Sequence, residues 1–475
     1  MQVRFARNLT CLLPLLLVFQ SSCIHYSARP LSAPAVENQY RARTLTSPDL
    51  AAFMRSQPGS SVTTWPPDSL DLDTLTRIAY FYQPDLDVAR AKFAAAEATV
   101  MTARQRVNPS VSGDAGYSRN PESAITYAVA PTFTIETAGK RGYRILQAER
   151  TAEAARLSFV ETAWQTRSQV RAALLAYLFA QRRFDLLREE LTVREDVVEI
   201  FEKRLAAGEA STPDLNVVRA ELSENQLTLR REEGEISQSL SALETSAGLP
   251  PSSLAGVKVT LATMEQPPSE EALTMKRVQR AGLLNRADIR RTLAEYAAAD
   301  ALLRLEIANQ YPNIELSPTY AFQEGFADYT LGIGLNALPI LHRQRGPIAE
   351  ADAQRKQIES EFLALQSHAI GEMEQALRQY RAMLKEWHES EEYLLRVQHD
   401  REAAARIALE AGEGDRLAFD VARLLTVAAR KSRLEALQHA QTTLGALEDS
   451  MQHPLIGGTE LPEPAIRSPR GEVKP

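Results

Sequence analysis

Asp214, Asp415 and Asp420 lie close after two similar turns, "RLAAGEASTPDLNVVRAEL" and "LEAGEGDRLAFDVAR", and the chemistry they offer is electrostatic. Arg219 and Arg423 stand at matching places after those turns. They are candidates to pair with the carboxylates; solvated surface and helix capping compete as readings for each aspartate. Covalent chemistry finds no foothold. There is no GxSxG, P-loop or GxGxxG, and the seven histidines form no HxxH or HExxH constellation. No catalytic residue, cofactor or metal-ligand set is therefore expected, and the chain does not read as an enzyme.

The turns themselves have a recognisable grammar. Gly208 and Gly412 each fall where a helical pattern stops, and a new helix begins a few residues later. Ser211 followed by Asp214 forms a capping-box pattern with Asp in the Glu position. The glycines serve turn chemistry first.

Cys23 offers the other reactive group. Arg4 and Arg7 precede an apolar core, "LTCLLPLLLVF", of about 11 residues, too short to span a bilayer. Then comes "QSSC", similar to the lipobox at which bacterial signal peptides are removed and the cysteine is acylated, with Gln20 in place of the usual aliphatic residue. Residues 1–22 thus read as a signal peptide and Cys23 as the lipidated, palmitate-bearing N-terminus. Cys11 is the other cysteine and lies in the removable segment, so the mature chain has no disulfide and depends on packing. Net charge is −7 with both signs interspersed, which argues against a nucleic-acid partner.

The elements that carry these residues come from a duplication. Residues 84–117 align with 287–320, "KRGYR" (140–144) with "QRGPI" (344–348), "LAAGEAS" (205–211) with "LEAGEGD" (409–415), and "ALETS" (242–246) with "ALEDS" (446–450), at an offset of about 203 to 204. Each repeat reads helix, strand, turn, strand, very long helix, tight turn, helix. The first helices cover about 84–107 and 287–310. No proline occurs from Thr132 to Thr212 or from Ile348 to His453, and no glycine from Tyr143 to Ala206. That last run would be roughly 95 Å long as a helix, further than a compact domain needs. Gly371 is the one interruption expected in the partner run from Ile348 to Glu410.

Four alternating strands are expected, at about 110–118, 127–137, 313–322 and 329–338. Ile314, Leu316, Tyr320 and Phe322 share one face, as do Tyr329, Leu331, Ile333 and Leu335, and Tyr127, Val129, Phe133 and Ile135. The lengths suit tilted transmembrane strands. Four strands cannot close a barrel, and hydrocarbon does not tolerate an open edge, so lipid-facing strands would have to be pooled; three chains would give twelve. The whole chain then divides into a signal peptide (1–22), an anchored Pro/Ser/Ala-rich tether (23–68), a first repeat (69–250, strands about 110–137, helical hairpin about 143–247), a connector (251–270), a second repeat (271–454, strands about 313–338, hairpin about 348–450) and a disordered tail (455–475).

From about residue 70 to 453 this arrangement resembles the TolC-like outer-membrane efflux proteins. The resemblance rests on the duplicated unit, "NP" at 108–109 before the first strand, "GKRGYR" at 139–144 after the second, and "RLAAGEASTPDLNVVRAEL" at the hairpin turn. It implies a mainly α fold with a small membrane β-part, assembled as a homotrimer with a shared 12-stranded barrel and a periplasmic helical tunnel. It further implies a passive exit duct in the bacterial outer membrane, docking through a periplasmic adaptor to an inner-membrane transporter. The Ile314 face would meet lipid and the Glu315 face the lumen. "TIETAGKRGYR" is similar to members of the CzcC type, so metal ions and organic compounds both stand as cargoes. The resemblance makes the turns the periplasmic tip, with Gly208, Ser211, Gly412 and Asp415 as candidate adaptor contacts. It also implies a constriction in which inward carboxylates of several copies form a ring that attracts cations, with Asp214, Asp415, Asp420, Arg219 and Arg423 as candidate gate residues. The second turn departs from the family's usual spacing between glycine and downstream Asp, which leaves the exact gate residues open. The competing reading is a structural or adaptor lipoprotein of the envelope without a pore.

Overall fold

The computed structural model describes residues 26–56, 65–117, 125–323, 326–336, 338, 342–456 and 461–462. Cys23 and the segment 1–22 lie outside the described residues. The chain divides at Thr44 into two units. The first contains α1 (Ala33–Arg41), with no buried residue and one i,i+4 ion pair, Glu37 to Arg41.

The second unit follows the duplicated order. Helix α2 (Pro48–Ser56) precedes a two-residue strand β1 (Ser69–Leu70), α3 (Leu72–Tyr82) and α4 (Pro84–Arg104). Strands β2 (Ser110–Tyr117) and β3 (Ile125–Ile135) lead into α5 (Lys140–Ala206) and α6 (Thr212–Ser246). A connector carries β4 (Lys258–Val259), and α7 (Met275–Asn285) and α8 (Ala287–Ala308) follow. Strands β5 (Asn313–Gln323) and β6 (Phe326–Asn336) precede α9 (Arg345–Glu389), α10 (Arg396–Glu410) and α11 (Arg416–Met451).

Helix α5 has 67 residues, about 100 Å at 1.5 Å per residue, because nothing inside it breaks the hydrogen-bond ladder. Its partner run differs from expectation. Gly371 lies inside α9 without interrupting it; the break is a π-helical segment, Ser390–Leu395, between α9 and α10. Gly371 is open to space, so its missing side chain costs only propensity. Among the described residues, no helix is long and apolar enough to cross a membrane, a criterion that does not bear on strands.

The core sits where the long helices meet mid-length. Val170, Leu174 and Phe179 of α5 meet Met373, Leu377 and Tyr380 of α9 and Leu437 and Leu444 of α11, and Leu75 and Ile78 of α3 join them. Each such side chain contributes about 1.5–3 kcal/mol on burial. Two segments read as connectors turn out to be part of this core. Leu50 and Met54 of α2 are buried in it, so within the span 23–68 read as a tether, residues 45–56 are folded structure. Its apolar residues are too few for periodicity to show. The connector 251–270 contributes Leu254, Leu261 and Met264, and β4 pairs in parallel with β1, Leu70 opposite Val259.

The end of α11 is bound back by charge. Glu448 is fully buried, 3.1 Å from Arg167 Nη1 and 3.5 Å from Arg171 Nε. It also accepts the Leu455 and Ile456 amides at 2.6 and 2.9 Å, while Arg167 donates to the Ile456 carbonyl at 2.9 Å. Residues 455–456, placed above in a disordered tail, are therefore fixed. Gly445 makes room for this network, since a Cβ there would lie 1.9 Å from Arg171 Nη1.

Candidate functional site

The four long strands form one antiparallel sheet in the order β2-β3-β5-β6. Registers place the expected apolar residues in rows across it. Ile135 faces Ile314, which faces Leu335; Phe133 faces Leu316, which faces Ile333; Val129 faces Tyr320, which faces Tyr329. Directly opposed residues share a face, so these rows make a single apolar surface. Tyr127, Tyr320, Phe322 and Tyr329 form a contiguous aromatic cluster, with centroids 5.3 to 6.1 Å apart, toward the hairpin-turn end. Tyr329, Leu331, Ile333 and Leu335 are 56 to 81% exposed, and Ile314, Leu316, Tyr320 and Phe322 are half-buried beside them. Water does not favour so large a contiguous apolar face. The opposite face carries Thr132 hydrogen-bonded to Ser317 at 3.0 Å, and Glu315 accepting from Asn336 at 2.7 Å.

Two features of the sheet escaped the sequence reading. Pairing between β3 and β5 is recorded on either side of Ala130–Thr132, where the register would set Pro131 opposite Pro318. Neither proline has an N–H to donate, so the ladder opens there. Strands β2 and β6 are edges, and among the described residues each is paired on one side only.

At the far end of the helices lie the two turns. Gly208 has φ +76° and Gly412 φ +77°. At each, the amide of the glycine bonds to the carbonyl three residues back and the next amide to the carbonyl five back: Gly208 to Leu205 and Glu209 to Arg204, then Gly412 to Leu409 and Glu413 to Ala408. This pair of bonds is a Schellman cap, which favours a left-handed glycine. Gly414 was missed: its amide also reaches Ala408, and a Cβ there would come within 2.9 Å of the Ala408 carbonyl carbon. Ser211 and Asp214 form the reciprocal capping box. The bonds from the Ser211 hydroxyl and amide hold the Asp214 carboxyl below its usual pKa.

The charges between the hairpins pair as follows. Asp420 is fully buried, accepting from Arg416 Nε at 2.8 Å and Arg423 Nη1 at 3.2 Å. Both arginines also reach Asp196 of α5, at 3.2 and 3.3 Å, closing a square of two acids and two guanidiniums. Phe419 lies under both guanidiniums. Asp415 binds Arg204 of α5 at 2.6 Å, and this bond lowers its pKa. Higher up, Glu189 takes Arg430 at 3.0 Å and Glu190 takes Lys431 at 3.0 Å. Burial raises the pKa of Glu190, but the bonds from Arg194 and Lys431 outweigh it and the net shift is downward. Arg416, Arg423 and Arg430 are seven apart, as are Glu189 and Asp196, so one helix face meets the other rung by rung.

Three expectations change here. Arg219 does not pair with Asp214; it binds Glu202 at 2.7 Å, inside the first hairpin. Asp420 does pair with Arg423, but a carboxylate with no exposed surface presents no charge to a passing ion, so it belongs to the lock and not to a charged ring. Asp214 is committed to its own cap. The α5 partners Asp196, Glu189, Glu190 and Arg204 were not foreseen, although the seven-residue spacing of Glu189 and Asp196 is visible.

The family model described as outer membrane efflux protein matches residues 80–249, which is most of the first repeat. The cobalt-zinc-cadmium resistance protein CzcC of Cupriavidus metallidurans is 26% identical over 323 residues, 67% of this chain and 75% of that one. Among solved structures, the outer membrane protein VceC of Vibrio cholerae superposes with a TM-score of 0.63 at 20% identity, covering 82% of this chain and 97% of that one. The MtrE outer membrane channel of Neisseria gonorrhoeae, in its open state, gives 0.62 at 16%, covering 82% and 90%. These likenesses show that the chain has the mainly helical fold of those outer-membrane channels, with the sheet and the hairpin tips at opposite ends of its long helices.

Proposed function

We propose that this efflux protein is the passive exit duct of a tripartite pump. Three copies pool their sheets into a twelve-stranded barrel in the outer membrane, and their helices form a tunnel into the periplasm. The observation that carries this reading is the single apolar face across four antiparallel strands with two unpaired edges. Edges at β2 and β6 are tolerated in lipid only if a neighbouring copy covers them. Cys23, acylated after removal of residues 1–22, adds an anchor.

The tips are the proposed docking surface for a periplasmic adaptor, with Gly208, Ser211, Gly412 and Asp415 in the turns. An inner-membrane transporter supplies the energy. The square of Asp196, Arg416, Asp420 and Arg423, with the Arg204–Asp415 bond, is the proposed latch of the closed tip. Similarity to CzcC favours divalent metal ions over organic compounds as cargo. A strain lacking the gene should then become sensitive to cobalt, zinc or cadmium and not to organic toxicants; the reverse pattern would move the cargo to organic compounds.

Planar-bilayer recording tests the duct and its latch together. Wild-type protein should show small conductance, and Asp196→Ala should raise it severalfold, because both arginines lose their partner on α5. A protein that inserts no channel in either form would favour the pore-less envelope lipoprotein.

A further inference from the structure

The duplicated chain turns from sheet to long helix at two matching corners, and the two corners use their cations differently. At the first, Lys140 donates to the Tyr311 carbonyl and to Asn313 Oδ1, both at 2.6 Å. Arg141 donates to the Arg104 carbonyl at 2.6 Å, and Arg144 binds Glu136 at 3.0 Å. Those cations tie sheet to helices. At the second corner the chain turns through Arg343 and Gln344, both left-handed at φ 44° and 54°. Arg343 and Arg345 are exposed there, and among the described residues neither side chain has a hydrogen bond or ion pair. The first corner is left-handed too, at Ala138 and Gly139 with φ 54° and 75°, so the turn is shared and it is the cations that differ.

Both arginines line a groove of about 550 Å³ between α8 and α9, together with Leu303, Ile307 and Ile348. Asp352 is at its rim but is already paired with Arg355 at 2.9 Å and Lys356 at 2.8 Å. Position follows from connectivity: only residues 309–312 separate α8 from β5, so the groove lies at the foot of the sheet, below the row of Ile135, Ile314 and Leu335. Ile307 and Tyr311 are exposed at 43 and 59%, so apolar and amphipathic surface continues from the sheet past the groove. A tyrosine and free arginines beside an apolar band are the composition of a membrane–water interface.

We propose that this groove holds an anionic glycerophospholipid, its phosphate on Arg343 and Arg345 and an acyl chain along Leu303, Ile307 and Ile348 toward the sheet. The proposal rests on the membrane reading of the sheet. Two guanidiniums suit a phosphate because each offers paired N–H donors, and an anionic headgroup satisfies cations that the fold leaves unpaired. One protomer corner is thereby tied to the inner leaflet by lipid where its counterpart is tied by protein.

The test uses delipidated full-length protein in mild detergent, titrated separately with dioleoyl-phosphatidylglycerol and dioleoyl-phosphatidylcholine, with bound lipid counted by native mass spectrometry. Phosphatidylglycerol should be retained in preference. The Arg343→Ala/Arg345→Ala variant should lose roughly tenfold of that retention, as expected for two basic side chains at an anionic interface, with assembly mass and melting temperature unchanged. Arg396→Ala, an exposed cation far down the second hairpin, should have no effect. Equal retention of the two lipids, or no loss in the double variant, would overturn the proposal. So would complete displacement by excess inorganic phosphate, which would make the groove a free-anion site. A change of assembly mass on Arg345→Glu would show that a second copy covers the groove and would overturn it too. Protein that binds no detergent belt at all would overturn the membrane reading along with the site, which separates the two failures.

Discussion

Arg204 and Asp415 join the two hairpins at the tip, and their bond decides how the tip responds to acid. The Arg204–Asp415 bond holds the Asp415 carboxyl below its usual value of 3.8. A depressed folded pKa contributes stability above the unfolded value, and the contribution is lost as pH falls through the folded one. Conductance in planar bilayers should therefore be the same at pH 7 and pH 5 and rise only below about pH 4. An opening near pH 6 would implicate a different group. Asp415 is half exposed, so the bond is worth about 0–1 kcal/mol by itself. Glu448 is the opposite case. It is sealed from solvent with two arginines and two amides on it. Glu448→Ala should cost about 3–5 kcal/mol, because it strands buried guanidiniums, and chemical denaturation would measure it. A loss under 1 kcal/mol would mean that water replaces the carboxylate. In the sequence, Ser211, Asp214, Gly208 and Gly412 were legible because caps are local. Glu448 and Asp196 were not, because their partners lie 281 and 220 residues away in the chain.

Among elements, the strands were the most legible. Alternation requires only neighbours in sequence, and the apolar sets named from it share one face in the sheet. Strand ends agree to within about two residues except at β6, which starts at Phe326 and not Tyr329. Short and exceptional elements were illegible: β1 and β4 have two residues each, too few to alternate, and the π segment Ser390–Leu395 has ordinary helix-forming composition. Facing can be tested one side chain at a time. Leu331→Arg places a charge on the apolar face, at about 2–4 kcal/mol if it meets the bilayer midplane, while Thr330→Arg places it on the polar face. Membrane yield of assembled protein should fall for the first and hold for the second. Equal yields would contradict the facing assignment.

For the whole molecule, everything turns on the two sheet edges. One chain builds a sheet with one face too apolar for water and edges too bare for lipid; in the duct proposed above, lipid covers the face and β6 of one copy pairs with β2 of the next. That assembly would bring the helical tips together as a set, so that the proposed latch between two hairpins of one chain becomes a property of the tunnel. The protein mass of the complex, taken by light scattering after gentle detergent extraction from outer membranes, tests this most directly. Pooled strands require a mass three times that of the mature chain. A monomer that persists across several mild detergents would leave four strands unable to close and would contradict the duct.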